Sequence, residues 1–230
     1  MIKTFIFCGG YGSRMNKGKP GPLKPLIKIN NKSILQHIFN IYSKFGYKDF
    51  YLLGGYKINE LIKFSKKFKK LNITVINTGL GTSTAGRLLS IKKFLTSKEV
   101  FFLTYGDSLA NFKPIKALKF KKENNYIISS YRHITSYGVL KTNKNDDLKK
   151  IYEKNFFFKI NAGFYILDSS IFTFIKSKKD SFEKHVLPRT LKLNKKIKAI
   201  NIKKWYPIDN IYDIQCVKKI LKEDKDYFYD

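Results

Sequence analysis

The apolar positions of this chain fall into short runs that alternate with amphipathic segments. Several runs have the length and composition of buried strands: residues 5–8, 49–53, 73–78, 99–104 and 126–131. Between them, apolar residues at helical spacing predict helices over residues 34–45, 58–71 and 114–123, with Ser33 as the cap of the first. This alternation predicts an α/β fold in which a mostly parallel sheet is flanked by helices.

The later part of the chain departs from that alternation. Three segments favour short strands: residues 136–140, 151–154 and 160–167. With a turn at residues 143–147, they predict a small antiparallel insertion that covers a second substrate. Residues 182–193 predict a helix, and a strand at 197–202 leads to a C-terminal helix. The sequence contains no linker, so residues 1–230 are expected to form one domain.

A glycine-rich turn follows the first predicted strand. Gly9-Gly10-Tyr11-Gly12-Ser13-Arg14 comes directly after it, and Lys24 follows a Gly/Pro-rich connection. Because glycine has no Cβ, its backbone can approach an anion closely, and Arg14 and Lys24 add the charge that a polyphosphate requires. The segment predicts a phosphate-binding turn. A dinucleotide-binding fingerprint is disfavoured, because its third glycine is missing from this segment. A P-loop is disfavoured by the spacing of the glycines and by Pro20. The remaining alternative is a surface turn without a ligand.

A second glycine-rich run, Thr78 to Leu88, follows the third predicted strand. Its small residues and hydroxyl groups leave room for a flat ring or a ribose. A helix predicted from about Ala85 directs its positive N-terminus to the same place. A flexible loop is the alternative explanation.

Two carboxylates also follow predicted strands. Asp107 comes after Gly106 at the end of the fourth strand, and Asp209 comes after Pro207. Carboxylates at strand ends commonly hold a divalent cation against phosphate oxygens, although an aspartate in a turn or helix cap is an alternative. We expect Asp107 and Asp209 to share one cation.

The composition gives the chain a strong positive charge but says little about which molecule it binds. The chain has 46 basic and 17 acidic residues, for a net charge of +29, which favours acidic partners. Almost all of the basic residues are lysines spread over the predicted helices, so the charge is weak support for nucleic-acid binding. No apolar run is long enough to span a bilayer, and the cysteines form no disulfide or zinc pattern. A soluble cytoplasmic protein is therefore expected, without membrane insertion.

The order of these motifs resembles the sugar-nucleotide nucleotidyltransferases, and within them the glucose-1-phosphate cytidylyltransferase branch. The resemblance covers nearly the whole chain. It rests on GGYGSR at 9–14, LKPLIKI at 23–29, LLGGYK at 52–57, NTGLGTSTAGRL at 77–88, LTYGDSLA at 103–110, SYGVL at 136–140, INAGF at 160–164 and WYPIDNIYD at 205–213. It implies the nucleotide-diphospho-sugar transferase fold, a Rossmann-like mixed sheet. It also implies transfer of CMP from CTP to a sugar 1-phosphate, with Mg²⁺ as the cofactor.

The resemblance also implies roles for individual residues. Arg14, Lys24 and Asp107 are the implied catalytic residues, and Asp107 and Asp209 the implied Mg²⁺ ligands. The implied nucleotide contacts are Gly9, Gly10, Gly12, Ser13, Arg14, Lys24, Thr82, Arg87, Tyr105 and Asp107. The implied sugar-phosphate contacts are Tyr137, Gly138, Glu153, Lys154, Asn161 and Gly163.

Departures from the family pattern lie in the acceptor half. The Glu-Lys-Pro motif is Glu153-Lys154-Asn155 here, and the Asn-Gly-Gly motif is Asn161-Ala162-Gly163, which is expected to add a methyl group where the sugar packs. We therefore expect CTP as the nucleotide and an acceptor other than glucose 1-phosphate, such as another sugar or polyol phosphate used in surface polysaccharide. Alternatives are the same chemistry with UTP, dTTP or GTP, and a basic nucleic-acid-binding protein. A homo-oligomer is left open, because the segment at 64–73 is shorter than the insertion in the family branch.

Overall fold

The computed structural model describes residues 2–12, 21–153 and 156–230. Its strands, numbered in chain order, are β1 Thr4–Phe7, β2 Lys28–Ile29, β3 Lys32–Ser33, β4 Asp49–Gly54, β5 Asn72–Asn77, β6 Val100–Tyr105, β7 Ser108–Ala110, β8 Asn125–Ile134, β9 Val139–Thr142, β10 Leu148–Tyr152, β11 Phe157–Asp168, β12 Lys196–Ile202 and β13 Trp205–Pro207. Its α-helices are α1 Ile34–Ser43, α2 Ile58–Ser65, α3 Thr84–Leu89, α4 Pro114–Leu118, α5 Leu187–Lys192 and α6 Ile211–Glu223.

Seven strands form the central sheet, in the order β12-β8-β11-β6-β1-β4-β5. Strands β6, β1, β4 and β5 are parallel neighbours, as are β12 and β8, whereas β11 runs antiparallel to both β6 and β8. The predicted mixed, mostly parallel sheet is thereby confirmed. Because parallel strands end at the same edge of a sheet, the segments that follow β1, β4, β5 and β6 meet there.

Helices cover both faces of the sheet. Successive side chains of a strand point to opposite faces, so Ile6 of β1 packs with α1, α2 and α6, while Phe5 and Phe7 pack with α3 and α5. Ile6 and Phe5 are fully buried. This burial on both faces explains why the central strands are continuous apolar runs in the sequence, with no alternation of polar residues.

The sequence predicts where helices begin better than it predicts how far they continue. α1 begins after Ser33, whose hydroxyl accepts from the amide of Gln36 while the Gln36 side chain accepts from the amide of Ser33. The helix predicted over residues 182–193 is divided into a π-helical turn at Phe182–Val186 and α5. Pro188 has no N–H to donate one turn back, which disrupts regular α-helical hydrogen bonding across that junction.

Two helices end earlier than their apolar patterns predict. α2 ends at Ser65, because the following residues 66–70 are mostly lysines, whose like charges oppose a further helical turn. α4 ends at Leu118, and the side chain of Asn125 then donates to the carbonyl of Phe120 at 2.9 Å to form a turn. Within the described ranges, no helix has both the length and the apolar character needed to cross a bilayer.

The predicted antiparallel insertion is present in part, as a two-stranded ribbon of β9 and β10. The third segment assigned to it, residues 160–167, lies instead in β11, a strand of the central sheet that pairs with β6 and β8. Leu140 lies opposite Ile151 in its register, and both side chains are exposed. Phe157 and Phe158, at the start of β11, are also exposed. In the described part of the chain, the ribbon is a sheet of its own, with no strand shared with the central sheet.

His37 links α1 to the C-terminal segment. Its Nε2 lies 3.1 Å from the carbonyl oxygen of Ile29, and its Nδ1 lies 2.5 Å from the hydroxyl of Tyr229. The side chain is buried, and this burial lowers the pKa of His37; the nearby Lys32 acts in the same direction, against the bond to Ile29. His37 is therefore a buried packing residue between α1 and the C-terminal segment.

The lowered pKa of His37 predicts a specific acid sensitivity. As the pH falls below about 6.5, the unfolded chain takes up a proton at His37 before the folded chain does, so stability is lost. We expect the free energy of unfolding to fall more between pH 7.5 and pH 5.5 in the wild type than in His37→Gln, measured by urea denaturation. The exposed His133→Gln variant is the control and should follow the wild type. Equal pH dependence in His37→Gln and the wild type would contradict the assignment.

Candidate active site

The glycine turn after β1 lies at the sheet edge where the parallel strands end. The amide of Cys8 donates to the carbonyl of Leu53 at 2.9 Å, which continues the pairing with β4 up to the turn. A Cβ on Gly9 would lie 2.0 Å from Nη1 of Arg87, whereas a Cβ on Gly10 would meet nothing within 4 Å. Gly9 is therefore required by close packing, and Gly10 lies on the open side of the turn.

Arg87 of α3 holds the ends of three strands together. Its Nη2 donates to the carbonyl of Gly9 at 2.9 Å, and its Nη1 donates to the carbonyl of Gly54 at 2.9 Å and to the hydroxyl of Thr78. Arg87 is 5% exposed, and this burial lowers its pKa. These bonds give Arg87 a positioning role for the turn. Its predicted contact with the nucleotide stays a prediction, and the side chain does border the cleft.

The second glycine-rich run is shaped by its own hydroxyl groups. Thr82 donates to the carbonyl of Thr78 at 2.6 Å, and Ser83 caps α3 by accepting from the amide of Gly86. Helix α3 begins at Thr84, next to the predicted position. Hydrogen bonds of its own hydroxyl groups therefore brace the loop at residues 78–83 against the start of α3.

Residues 178–183 support this loop through hydrogen bonds. Nothing in the sequence marked this segment as part of the site. The carbonyl of Lys178 accepts from the hydroxyl of Ser83 at 2.6 Å, and the amide of Phe182 donates to the hydroxyl of Thr84 at 2.7 Å. The Thr84 hydroxyl in turn donates to Glu183, whose pKa is raised by burial. These partners are more than ninety positions apart in sequence, so no local motif could have identified them.

Lys24 joins the two predicted metal ligands. Its Nζ lies 3.0 Å from Oδ2 of Asp107 and 2.8 Å from Oδ1 of Asp209. The Lys24 side chain is 9% exposed, whereas the Asp107 and Asp209 side chains are 42% and 39% exposed. The buried ammonium group therefore lies beneath two carboxylates that face the solvent.

Strand pairing explains why the two carboxylates meet. β13 pairs with β7 in antiparallel fashion, and the amide of Ile208 donates to the carbonyl of Asp107 at 2.9 Å. Gly106 allows the chain to pass close to the sheet, since a Cβ there would lie 2.8 Å from Pro25 and 2.9 Å from the carbonyl of Phe7. The structure thus brings Asp107 and Asp209 together as the sequence predicted.

The donor set fits a hard divalent cation. The described residues contain no group of three or more His, Cys, Asp or Glu side chains that could hold a metal ion. Mg²⁺ commonly binds through one or two carboxylates and takes its remaining ligands from water and substrate phosphates. Asp107 and Asp209 supply such a pair, and the Lys24 ammonium already shows that the position between them stabilises a positive charge.

These elements border one open cleft of about 440 Å³, a volume within the usual range of ligand sites. Among the predicted nucleotide and metal residues, those that line it are Gly9, Gly10, Gly12, Lys24, Thr82, Arg87, Tyr105, Asp107 and Asp209. Ser13 and Arg14, also predicted to contact the nucleotide, lie outside the described residues. Lys154 of the predicted acceptor site likewise lies outside them.

The predicted acceptor residues lie apart from this cleft lining. Tyr137 is 80% exposed in the segment before β9, and Gly138 packs near the carboxylate of Glu153. Asn161 donates to the hydroxyl of Tyr165 at 2.7 Å and accepts from the amide of Gly163. Gly163 is the link to the cleft, because its backbone packs against the ring of Tyr105 with φ of +79°, a conformation that favours glycine.

The expectation for Ala162 was wrong. Its side chain is 1% exposed and packs in the hydrophobic core with Phe164, and its carbonyl accepts from the indole of Trp205 at 2.9 Å. Successive residues of β11 face opposite sides of the sheet, so the extra methyl group fills protein interior and takes no space from a sugar.

Comparison with known proteins identifies close relatives over almost the full length. Residues 3–222 match the family model described as nucleotidyl transferase. A probable glucose-1-phosphate cytidylyltransferase of Bacillus subtilis is 28% identical, covering 95% of this chain and 96% of that protein. A glucose-1-phosphate cytidylyltransferase of Salmonella typhimurium is 25% identical, covering 92% of this chain and 93% of that protein. A mannose-1-phosphate guanylyltransferase catalytic subunit beta of Drosophila melanogaster is 32% identical over 81% of this chain and 53% of that protein.

Solved structures share the fold at lower sequence identity. HddC from Yersinia pseudotuberculosis has a TM-score of 0.75 with 24% identity, covering 96% of this chain and 100% of that chain. The inositol-1-phosphate CTP transferase from T. maritima has a TM-score of 0.71 with 17% identity, covering 97% of this chain and 96% of that chain. The predicted nucleotide-diphospho-sugar transferase fold is confirmed.

Packing around Arg87 predicts that two adjacent glycines respond differently to alanine. Gly9→Ala places a methyl group against a buried guanidinium that is held by three bonds, which should cost about 1–3 kcal/mol. For a chain of this size the melting temperature should then fall by roughly 2–10 °C. Gly10→Ala is the matched control and should melt close to the wild type. Differential scanning calorimetry of the two variants tests this, and equal melting temperatures would contradict the packing argument.

Proposed function

The chain belongs to the nucleotidyl transferase family, and we propose that it transfers CMP from CTP to a sugar 1-phosphate or a related polyol phosphate. The products are a CDP-linked sugar or polyol and pyrophosphate. The observation that carries this proposal is the group formed by Lys24, Asp107 and Asp209 in the cleft beside the glycine turn. That arrangement provides backbone for an anion, a buried cation and a carboxylate pair within one site.

The chemistry needs positioning more than acid–base catalysis. A phosphate monoester oxygen of the acceptor is already anionic at neutral pH, so it can attack the α-phosphorus of CTP without a strong base. The new P–O bond forms as the bond to the β-phosphate breaks, and the electron pair leaves with pyrophosphate. The barrier lies in aligning two anions and stabilising charge on the leaving group. A catalytic histidine is not required by this scheme, which agrees with the packing role of His37.

Each part of the cleft has a role in this scheme. The glycine turn places backbone amides beside the triphosphate, and Arg87 keeps that turn closed against β4 and β5. Lys24 supplies a full positive charge for the reacting phosphates. Asp107 and Asp209 would hold Mg²⁺, which when bound neutralises phosphate charge.

The relatives favour CTP and name one specific rival. The Bacillus subtilis and Salmonella typhimurium relatives each match over more than nine tenths of both lengths, and they are named as a probable glucose-1-phosphate cytidylyltransferase and a glucose-1-phosphate cytidylyltransferase. GTP is the second candidate, because the Drosophila relative that is 32% identical is named as a guanylyltransferase of mannose 1-phosphate. UTP and dTTP complete the set to be compared.

The proposed identity of the acceptor depends on residues that follow the β9–β10 ribbon. Three consecutive phenylalanines, residues 156–158, span the start of β11, where Phe157 is exposed and the guanidinium carbon of Arg132 lies 3.8 Å from the centroid of its ring. In the motif that begins at Glu153, Asn155 stands where the family pattern has proline. We propose an acceptor other than glucose 1-phosphate, in a cytoplasmic step of surface-polysaccharide synthesis that involves no nucleic acid.

A pyrophosphate-release screen tests both specificities. CTP, GTP, UTP and dTTP are each paired with glucose 1-phosphate, mannose 1-phosphate, other sugar 1-phosphates and polyol phosphates, with Mg²⁺ present. We expect CTP with an acceptor other than glucose 1-phosphate to give the highest kcat/KM. A clear preference for GTP would overturn the proposed nucleotide. A clear preference for glucose 1-phosphate would overturn only the proposed acceptor.

Asp107→Asn should separate catalysis from folding. The substitution keeps the side-chain shape but removes one charge of the carboxylate pair, so turnover should fall by about 10²-fold or more. The melting temperature should change little, because Asp107 is partly exposed. Asp146→Asn, in an exposed turn with φ of +62° that asparagine also tolerates, is the control and should keep wild-type turnover. Near-normal turnover of folded Asp107→Asn would remove Asp107 from the reaction.

A further inference from the structure

The lysine beneath the carboxylate pair is held there by the backbone. Lys24 begins the 3-10 turn Lys24–Leu26, and the amide of Ile27 donates back to the Lys24 carbonyl at 3.1 Å. Pro25 of the same turn packs against Gly106, the residue directly before Asp107. The base of the lysine side chain is thereby fixed close to Asp107, and its nearly complete burial leaves the ammonium few other directions.

The same two carboxylates are required by two different cations. The ammonium of Lys24 lies within 3.0 Å of Asp107 and 2.8 Å of Asp209. A metal ion bound to both carboxylates would be a few ångströms from that ammonium, and two positive charges at such a distance repel strongly outside bulk water. Both cations therefore cannot be bound at full strength together.

We propose that Lys24 is the resting occupant of the cation position between Asp107 and Asp209, so that a metal ion binds the pair only as the Lys24 ammonium leaves it. In the resting state the ammonium of Lys24 bonds to both carboxylates, and its single positive charge offsets one of their two negative charges. The metal alone then binds weakly, because it must displace a cation that is covalently part of the site.

The triphosphate of a nucleotide would give Lys24 a partner to replace the two carboxylates. This step rests on the proposed function. When the nucleotide enters the cleft, its phosphate oxygens offer Lys24 a new anionic partner, and the two carboxylates can then bind the metal. Metal and nucleotide therefore bind with positive coupling, and by linkage each raises the affinity for the other by the same factor.

The first experiment uses the metal alone. Mn²⁺ is titrated into the full chain without nucleotide and followed by calorimetry and by the loss of the free-ion electron paramagnetic resonance signal. We expect Lys24→Met to bind Mn²⁺ on the order of tenfold more tightly than the wild type, within the usual range of such couplings. Lys28→Met is the matched control, since it removes the same charge from an exposed position on β2 and should bind as the wild type does.

The outcomes separate the exchange from a general charge effect. Equal affinities of Lys24→Met and Lys28→Met for Mn²⁺ would overturn the inference. The gain should disappear in the double variant Lys24→Met/Asp107→Asn, and its persistence would also overturn it. Lys24→Gln replaces Lys24→Met if the latter shows no cooperative unfolding transition, and the same comparison then applies.

A second titration tests the role of the nucleotide. With a non-hydrolysable CTP analogue present, the affinity for Mn²⁺ should rise more in the wild type than in Lys24→Met, because only the wild type has a lysine to transfer. An equal rise in both would overturn the exchange. If the analogue fails to bind while the metal-only result holds, the proposed nucleotide is wrong and the resting role of Lys24 stands.

Discussion

Two carboxylates side by side at the end of a sheet repel each other unless a cation lies with them, and this constraint organises the cleft. Asp107 and Asp209 are brought together by the pairing of β7 with β13, and Lys24 supplies the compensating charge. The two carboxylates and the ammonium group are therefore already in contact before any substrate binds. The 3-10 turn that carries Lys24 and the glycine that precedes Asp107 pack together to keep these charges in contact.

The hydrogen bonds of Arg87 fix the backbone of the glycine turn after β1. Carbonyls at the ends of parallel strands need hydrogen-bond donors, and the buried guanidinium of Arg87 donates to the carbonyls of Gly9 after β1 and Gly54 of β4, and to the hydroxyl of Thr78 after β5. Because those carbonyls are taken, the turn can direct other backbone groups toward the cleft. The shape of the glycine turn thus depends on the side chain of Arg87.

Local patterns predicted the parts of this protein that depend on local physics. The apolar runs located the strands, Ser33 located a helix start, and the glycines after β1 and the aspartates after β6 and β13 located the cleft. Contacts across long separations were not predictable in this way. The bridge from Lys24 to Asp209 spans 185 positions, and the support of Ser83 by Lys178 spans 95. The buried methyl of Ala162 was misjudged because a motif shows a residue's position in sequence and does not show which face of the strand it occupies.

The position of Asp209 in the chain has a consequence for biosynthesis. During translation, Lys24 and Asp107 emerge from the ribosome long before β13, so the nascent sheet can form while one half of the carboxylate pair is still missing. Until residue 209 is released, Lys24 has a single carboxylate of this pair to neutralise. A nascent chain that ends before residue 209 therefore has Lys24 beside one carboxylate of opposite charge, and the pairing of β13 with β7 later adds the second carboxylate and completes the group.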